Sequence, residues 1–230
     1  MKFRSYTSGS AGNVNLLSSG KHQLLLDAGM PWPWIKKTMG FKTTGLSGVL
    51  IDHHHNDHSC GMSKAAESGI DIYALPEIFE AKGLSGHRFH EIEMKKTFSV
   101  GAFNVMAFPL IHDVPCCGFL IKIKDEKMVY ITDTAYCPFK FTKLNIIAVE
   151  CNYSLEVLNA NVRNGVISVD HKNKIIKTHF GLNNVLDFLA ANDLSAVKEI
   201  HLLHMSDTNS DAEQCKKAVQ AATGKRVVVC

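Results

Sequence analysis

The segment Asp52-His53-His54-His55-Asn56-Asp57-His58 sets two imidazoles two residues apart and follows them with a carboxylate and a further imidazole. Imidazole nitrogen and carboxylate oxygen are donors that divalent metals commonly take from proteins. In extended backbone, side chains two apart share a face, so His53 and His55 can hold one ion. Asp57 and His58 lie further round the turn and can hold a second. His54, between two ligands, should point the other way. Water on such a centre ionises near pH 7 instead of at about 15.7, and two ions roughly 3.5 to 4 Å apart can serve a nucleophile and a phosphoryl oxygen together.

Two ions need more donors, and three residues qualify because each ends an apolar run. His112 follows Phe108-Pro109-Leu110-Ile111, Asp133 follows Val129-Tyr130-Ile131-Thr132, and His204 follows Ile200-His201-Leu202-Leu203. Rigid strands ending at one edge can hold ligands accurately while loops shape a pocket. The set is rich in His and Asp and has no Cys, which suits Zn²⁺ or Mn²⁺ and leaves Fe open. Asp57 has a second possible duty as the base that orients the attacking water.

These residues need a scaffold, and the hydrophobic pattern supplies one. Short strands separated by turns are expected at Phe3–Tyr6, Val14–Ser18, Gln23–Leu26 and Val49–Asp52, opening the chain as a meander. Pro31 starts a helix running to about Met39, since Pro is tolerated in a first turn. Then come a helix over Met62–Ser68, a strand over Ile70–Leu75, a helix from Pro76, and strands at Phe103–Phe108, Gly118–Lys124, Met128–Thr132 and Ile146–Glu150. The last third alternates helices over Asn183–Ala191 and Asp211–Ala222 with strands over Glu199–Leu203 and Arg226–Val229. This predicts an α/β protein in which two sheets pack face to face with helices outside.

The 230 residues fit a single domain spanning 1–230, and a composition that is 46% hydrophobic and 20% charged is that of an ordinary folded protein. No apolar run is long enough to cross a bilayer, and the opening residues lack a signal-peptide pattern, so a cytoplasmic protein with no membrane partner is expected. Seven cysteines without CxxC spacing fit reduced thiols. A net charge of +3 is compatible with a nucleic-acid ligand without pointing to one. Among the scattered lysines, those between His171 and Lys177 are the best placed to follow a phosphate backbone. Ser8-Gly9-Ser10-Ala11-Gly12-Asn13 reads first as a tight hairpin.

The same segments resemble the metallo-β-lactamase superfamily and, within it, the YycJ/WalJ-like group of small hydrolases, related to PhnP phosphodiesterases and tRNase Z. The resemblance runs through Ser8 to Asn13, Leu25-Leu26-Asp27-Ala28-Gly29, the histidine segment, Ile131-Thr132-Asp133-Thr134, Val149-Glu150-Cys151-Asn152-Tyr153, Thr178 to Asn183 and Leu203-His204-Met205-Ser206. It departs at Phe180-Gly181, where the group usually has Leu-Ser. It implies the four-layer αβ/βα sandwich, with one ion held by His53, His55 and His112, a second by Asp57, His58 and His204, and Asp133 bridging. It further implies His179 as the group that protonates the leaving oxygen, oriented by Glu150. The implied activity is that of a dinuclear metal-dependent phosphodiesterase, chiefly an exonuclease on DNA or RNA; the alternative is a phosphodiesterase on a small cyclic nucleotide or similar ester. A homodimer is compatible with the group.

Overall fold

A computed structural model describes residues 1–230. The chain forms two compact units, the first comprising Met1–Pro109 and Val114–Glu126, the second Leu110–Asp113 and Lys127–Cys230.

In the first unit, β1 (Lys2–Thr7), β2 (Val14–Ser19) and β3 (His22–Leu26) form the expected antiparallel meander. α1 (Trp32–Thr38) leads into β4 (Leu46–Leu50), then α2 (Asn56–Ser59), α3 (Met62–Glu67), β5 (Ile72–Ala74), α4 (Pro76–Lys82) and β6 (Phe89–Glu91). The six strands form one sheet in chain order, and β3 through β6 pair in parallel. β7 (Thr97–Val100), β8 (Phe103–Pro109) and β9 (Cys117–Ile123) are antiparallel neighbours. Leu24, Leu25, Leu26, Val49, Leu50 and Ile51 are fully buried, as a strand covered on both faces requires.

The second unit pairs β10 (Glu126–Ile131), β11 (Ile146–Glu150), β12 (Glu199–Leu203) and β13 (Arg226–Val229) in parallel, in that order. Between them lie α5 (Leu155–Arg163), α6 (Val169–Thr178), α7 (Leu182–Ala190) and α8 (Ala212–Thr223). Every residue of β11 is buried, so hydrogen-bonded strands flank a run with no solvent face.

Several elements were not anticipated: the short strands β6 and β7, the single turn of α2, and the whole of α5 and α6. α5 and α6 bury little, but each opens on a serine whose hydroxyl accepts a backbone N–H: Ser154 from Val157 and Ser168 from His171. Each also carries an acid in its first turn, Glu156 and Asp170, which favours the positive end of the helix dipole.

Close backbone packing holds the histidine segment. Asn13 and Ala28 donate their N–H groups to the carbonyls of Asp57 and His58 at 2.7 and 2.8 Å. A Cβ on Gly29 would lie 1.7 Å from the Asp57 carbonyl oxygen, so only glycine admits this approach. Gly29→Ala should therefore cost about 3 kcal/mol of stability, checked by urea denaturation. An unchanged midpoint would refute the close approach.

Candidate metal centre

β3 and β4 deliver two carboxylates to their C-terminal ends, Asp27 and Asp52, both completely buried. Asp27 accepts the Asp52 N–H at 3.2 Å, which sets the pair side by side. Asp52 Oδ1 accepts the His53 N–H at 2.6 Å and lies 2.9 Å from His53 Nδ1. His58 Nδ1 lies 3.1 Å from both Asp27 Oδ2 and Asp52 Oδ1. Each ring thus turns its Nδ1–H to a carboxylate, leaving Nε2 as the basic nitrogen, the arrangement by which metal-binding histidines are held and made more basic. In keeping with this, the Asn13 amide Nδ2 lies 2.9 Å from His58 Nε2. Burial alone would raise the Asp52 carboxyl, but the neighbouring His58 and His53 rings hold it well below the usual carboxylate range.

The rings of His53 and His58 are 4.2 Å apart between centroids, and those of His53 and His55 are 4.7 Å apart. Asp57 Oδ2 is 3.6 Å from His58 Nε2. The single turn α2 accounts for this grouping, with His55 capping it and Asp57 and His58 on it. Ser59 donates its hydroxyl to the carbonyls of both His54 and His55 at 2.8 Å, closing the turn. The first unit therefore brings His53, His55, Asp57 and His58 together, and His54 is not among the clustered donors.

Asp27 and Asp52 were not singled out in the sequence as holders of these rings. The signal was present, because both end an apolar run in the same manner as His112, Asp133 and His204. We expect Asp52→Asn to weaken metal affinity about 10- to 100-fold, measured by competition with a chelator. Unchanged affinity would exclude an orienting role.

The second unit assembles its donors around Asp133. One carboxylate oxygen, Oδ2, lies 3.7 Å from His112 Nε2, and the other, Oδ1, lies 3.5 Å from His204 Nδ1. These separations exceed a normal hydrogen bond. The His112 Nε2 separation is near the roughly 3.3 Å between two ligands each about 2.0 to 2.1 Å from a metal ion, whereas His204 turns its Nδ1 toward Glu150 Oε1 as well, at 3.2 Å. The two oxygens of one carboxylate thus face different histidines. The donors, imidazole nitrogen and carboxylate oxygen, suit divalent metal ions. His112 donates Nδ1–H to the Thr178 carbonyl at 2.9 Å, which again leaves Nε2 basic.

Asp133 and His204 both sit just past strand ends with positive φ, 44° and 49°, and Asp27 does the same at 63°. Non-glycine residues rarely adopt this backbone, at a cost of about 1 to 2 kcal/mol each. The sharp exit turns each side chain across the end of its strand.

Behind Asp133, Glu150 is completely buried at the end of β11 and accepts four donors. Oε1 lies 2.7 Å from His179 Nδ1 and 3.2 Å from His204 Nδ1. Oε2 accepts the N–H groups of Thr134 at 3.0 Å and Phe180 at 2.9 Å. Burial pushes this carboxyl up, yet the two histidines outweigh it and hold its pKa down to about 2. For His179 the balance runs the other way. Burial opposes its charge, but the Glu150 carboxylate, with help from Asp133, raises its pKa above the usual value. His179 caps the C-terminus of α6, where the helix dipole also favours a cation. Its ring stacks on His204 at 5.4 Å and lies 5.7 Å from that of His112. The second unit thus unites His112, Asp133, His204, Glu150 and His179.

The departure at Phe180-Gly181 has a local cause. A Cβ on Gly181 would approach the Tyr153 ring to 2.5 Å, so serine does not fit beside this tyrosine.

A relative from Streptococcus pneumoniae named exodeoxyribonuclease WalJ is 28% identical, covering 92% of this chain and 84% of its own. Another from Bacillus anthracis, named exodeoxyribonuclease YycJ, is 26% identical, covering 95% and 88%. The crystal structure of the metallo-beta-lactamase fold protein YhfI from Bacillus subtilis superposes with a TM-score of 0.74 at 17% identity, over 99% of this chain and 95% of that one. That likeness shows the αβ/βα sandwich expected from the sequence. Residues 22–229 match the model of the beta-lactamase superfamily domain, and the chain belongs to that superfamily.

Proposed function

We propose that this chain is an exonuclease that cleaves phosphodiester bonds in DNA with two divalent ions, Zn²⁺ or Mn²⁺, and that residues 1–230 act as one domain. The chain is a metal-dependent hydrolase of its superfamily. In this reading His53, His55 and His112 hold one ion, Asp57, His58 and His204 the other, and Asp133 bridges them. The observation that carries it is Asp133, whose two oxygens face different histidines at 3.5 and 3.7 Å. Bound divalent ions would supply hydroxide at neutral pH and neutralise phosphoryl charge.

The chain's own groups do the rest. His179 holds its proton against Glu150 and delivers it from Nε2 to the leaving oxygen, because Nδ1 is engaged by the carboxylate. Glu150 fixes that ring and the backbone N–H groups of Phe180 and Thr134. Asp57, half-buried on α2, orients the attacking water. The names of the pneumococcal and anthrax relatives support DNA as the substrate. No helix is long and apolar enough to cross a membrane, in keeping with action in the cytoplasm on a nucleic acid.

The test is one substrate panel with metal-reconstituted protein: end-labelled single-stranded DNA, a cyclic nucleotide, bis-p-nitrophenyl phosphate and a thioester. We expect stepwise shortening of the DNA from an end, with inhibition by salt as phosphate contacts are screened. Turnover of the cyclic nucleotide alone would move the substrate to a small ester. Turnover of the thioester without any phosphodiester would overturn the reading.

A further inference from the structure

Charge is unevenly spread along this chain. The residues before Asp52 include six of the lysines and arginines and a single acid, Asp27, so they carry a net +5 and the rest of the chain a net −2. Asp27 is completely buried against His58, which leaves the surface formed by this stretch with positive charge alone.

Three of the six cations meet at one cleft of about 690 Å³ in the first unit. Lys2, Arg4 and Tyr6 alternate along β1 and so share a face. Ser18 of β2 and Gln23 of β3 fall on that face too, since Lys2 pairs with Ser18 and Ser18 with Gln23. Lys42, from the loop after α1, also lines the cleft, and no acid does. Lys36 and Lys37 occupy the last turn of α1, shortly before this loop. None of these five cations forms an ion pair; Glu126, which meets the start of the chain, is engaged by the Met1 ammonium. Arg4 instead lies over the Tyr6 ring, 4.8 Å from its centroid, which restrains the guanidinium without neutralising it. The loop is fixed as well: Gly40 and Phe41 have φ of 62° and 59°, and their N–H groups bond the Lys37 and Lys36 carbonyls at 3.0 and 2.7 Å. Like charges gathered in a concavity repel one another and focus a positive potential, a cost that an anionic ligand reverses.

The cleft also has a direction. β1 ends at Thr7, opposite Val14, and the turn between them reaches the histidine segment. Asn13 accepts the Gly9 N–H at 3.0 Å, and its Nδ2 lies 2.9 Å from His58 Nε2. β1 therefore runs from its cationic end toward the proposed ligands. From Lys2 to Thr7 an extended chain covers about 17 Å, roughly five steps of 3.4 Å along one DNA strand.

We infer that Lys2, Arg4 and Lys42 form a track for the sugar–phosphate backbone of DNA, several nucleotides away from the bond that is cut. This inference rests on the nuclease reading and adds to it a contact that ignores base sequence, because phosphates are the same in every nucleotide. A concave cleft admits a chain of phosphates and not the flat surface of an anionic bilayer.

The experiment compares full-length, metal-reconstituted wild type with Arg4→Gln/Lys42→Gln and with the charge-keeping swap Arg4→Lys/Lys42→Arg. The substrates are long end-labelled DNA, offered single-stranded and as a duplex, and bis-p-nitrophenyl phosphate, which is too small to span from the centre to the cleft. On whichever DNA the wild type shortens, the glutamine variant should raise KM about 10-fold at about 50 mM salt, with kcat nearly unchanged, and the gap should close by about 200 mM. The slope of log KM against log salt should fall by about 2, one for each phosphate contact removed. The swap should track wild type throughout, and all three proteins should turn over the small ester alike. If wild type shortens DNA while the glutamine variant keeps its KM and slope, or loses equally on the small ester, the track is overturned and the nuclease reading stands. A variant that sheds only co-sedimentation with phosphatidylserine vesicles likewise overturns the track and makes the surface a membrane patch. Wild type that shortens neither form of DNA overturns both.

Discussion

Asp133→Ala should lose both metal ions and at least about 10³-fold in kcat/KM, because without ions no hydroxide is available near neutral pH. Other ligands in the proposed set serve one ion, whereas Asp133 turns one oxygen toward His112 and the other toward His204. The check is metal per chain by mass spectrometry alongside single-turnover cleavage of labelled DNA. His112→Ala, by contrast, should lose mainly one ion. Should Asp133→Ala keep two ions per chain, the bridge does not exist.

His179→Gln should lower kcat on DNA by about 10² to 10⁴, the usual worth of a positioned general acid, while metal content stays at the wild-type level. The leaving group separates this from a structural effect. A nucleoside alkoxide needs a proton to depart, whereas p-nitrophenolate does not, so the variant should lose far less on bis-p-nitrophenyl phosphate. The pH profile gives a second check. Because Glu150 raises the His179 pKa, the acid keeps its proton further up the pH scale, and activity falls only as pH rises through that raised value. Glu150→Gln removes the charge, so the descending limb should move to lower pH, with a loss of about 10- to 100-fold. Equal losses on both substrates, with an unmoved limb, would remove His179 from proton transfer.

Much of this was legible in the sequence because the site obeys local rules. His53, His55, Asp57 and His58 share one short turn, and their spacing alone separates two faces. His112, Asp133 and His204 stand where apolar runs stop, and a strand's end is its readable landmark. Asp27 and Asp52 carry the same landmark, but their duty depends on which ring they meet. Asp27 meets His58 across 31 positions, a pairing that no local pattern encodes. α5 and α6 escaped for a different reason. Within α6 only Ile175 and Thr178 are buried, so its apolar stripe is too thin to see, and its serine cap was the better clue. The lysines between His171 and Lys177 stand on that helix, and Lys172 is engaged with Asn159 at 2.6 Å. His179 ends α6, and its ring is fixed by Glu150, which lies 29 positions away.

The left-handed backbone at Asp133 and His204 has an outcome for how variants sort. Glycine takes that conformation without steric penalty, so a glycine at either place would relax the backbone while removing a side chain that the proposed centre needs. A library ranked by heat resistance would promote such replacements, and one ranked by turnover would discard them. Each of the two selections, applied alone, would drive the molecule toward a different sequence, and the gap between them measures how much thermal robustness has been exchanged for reactivity.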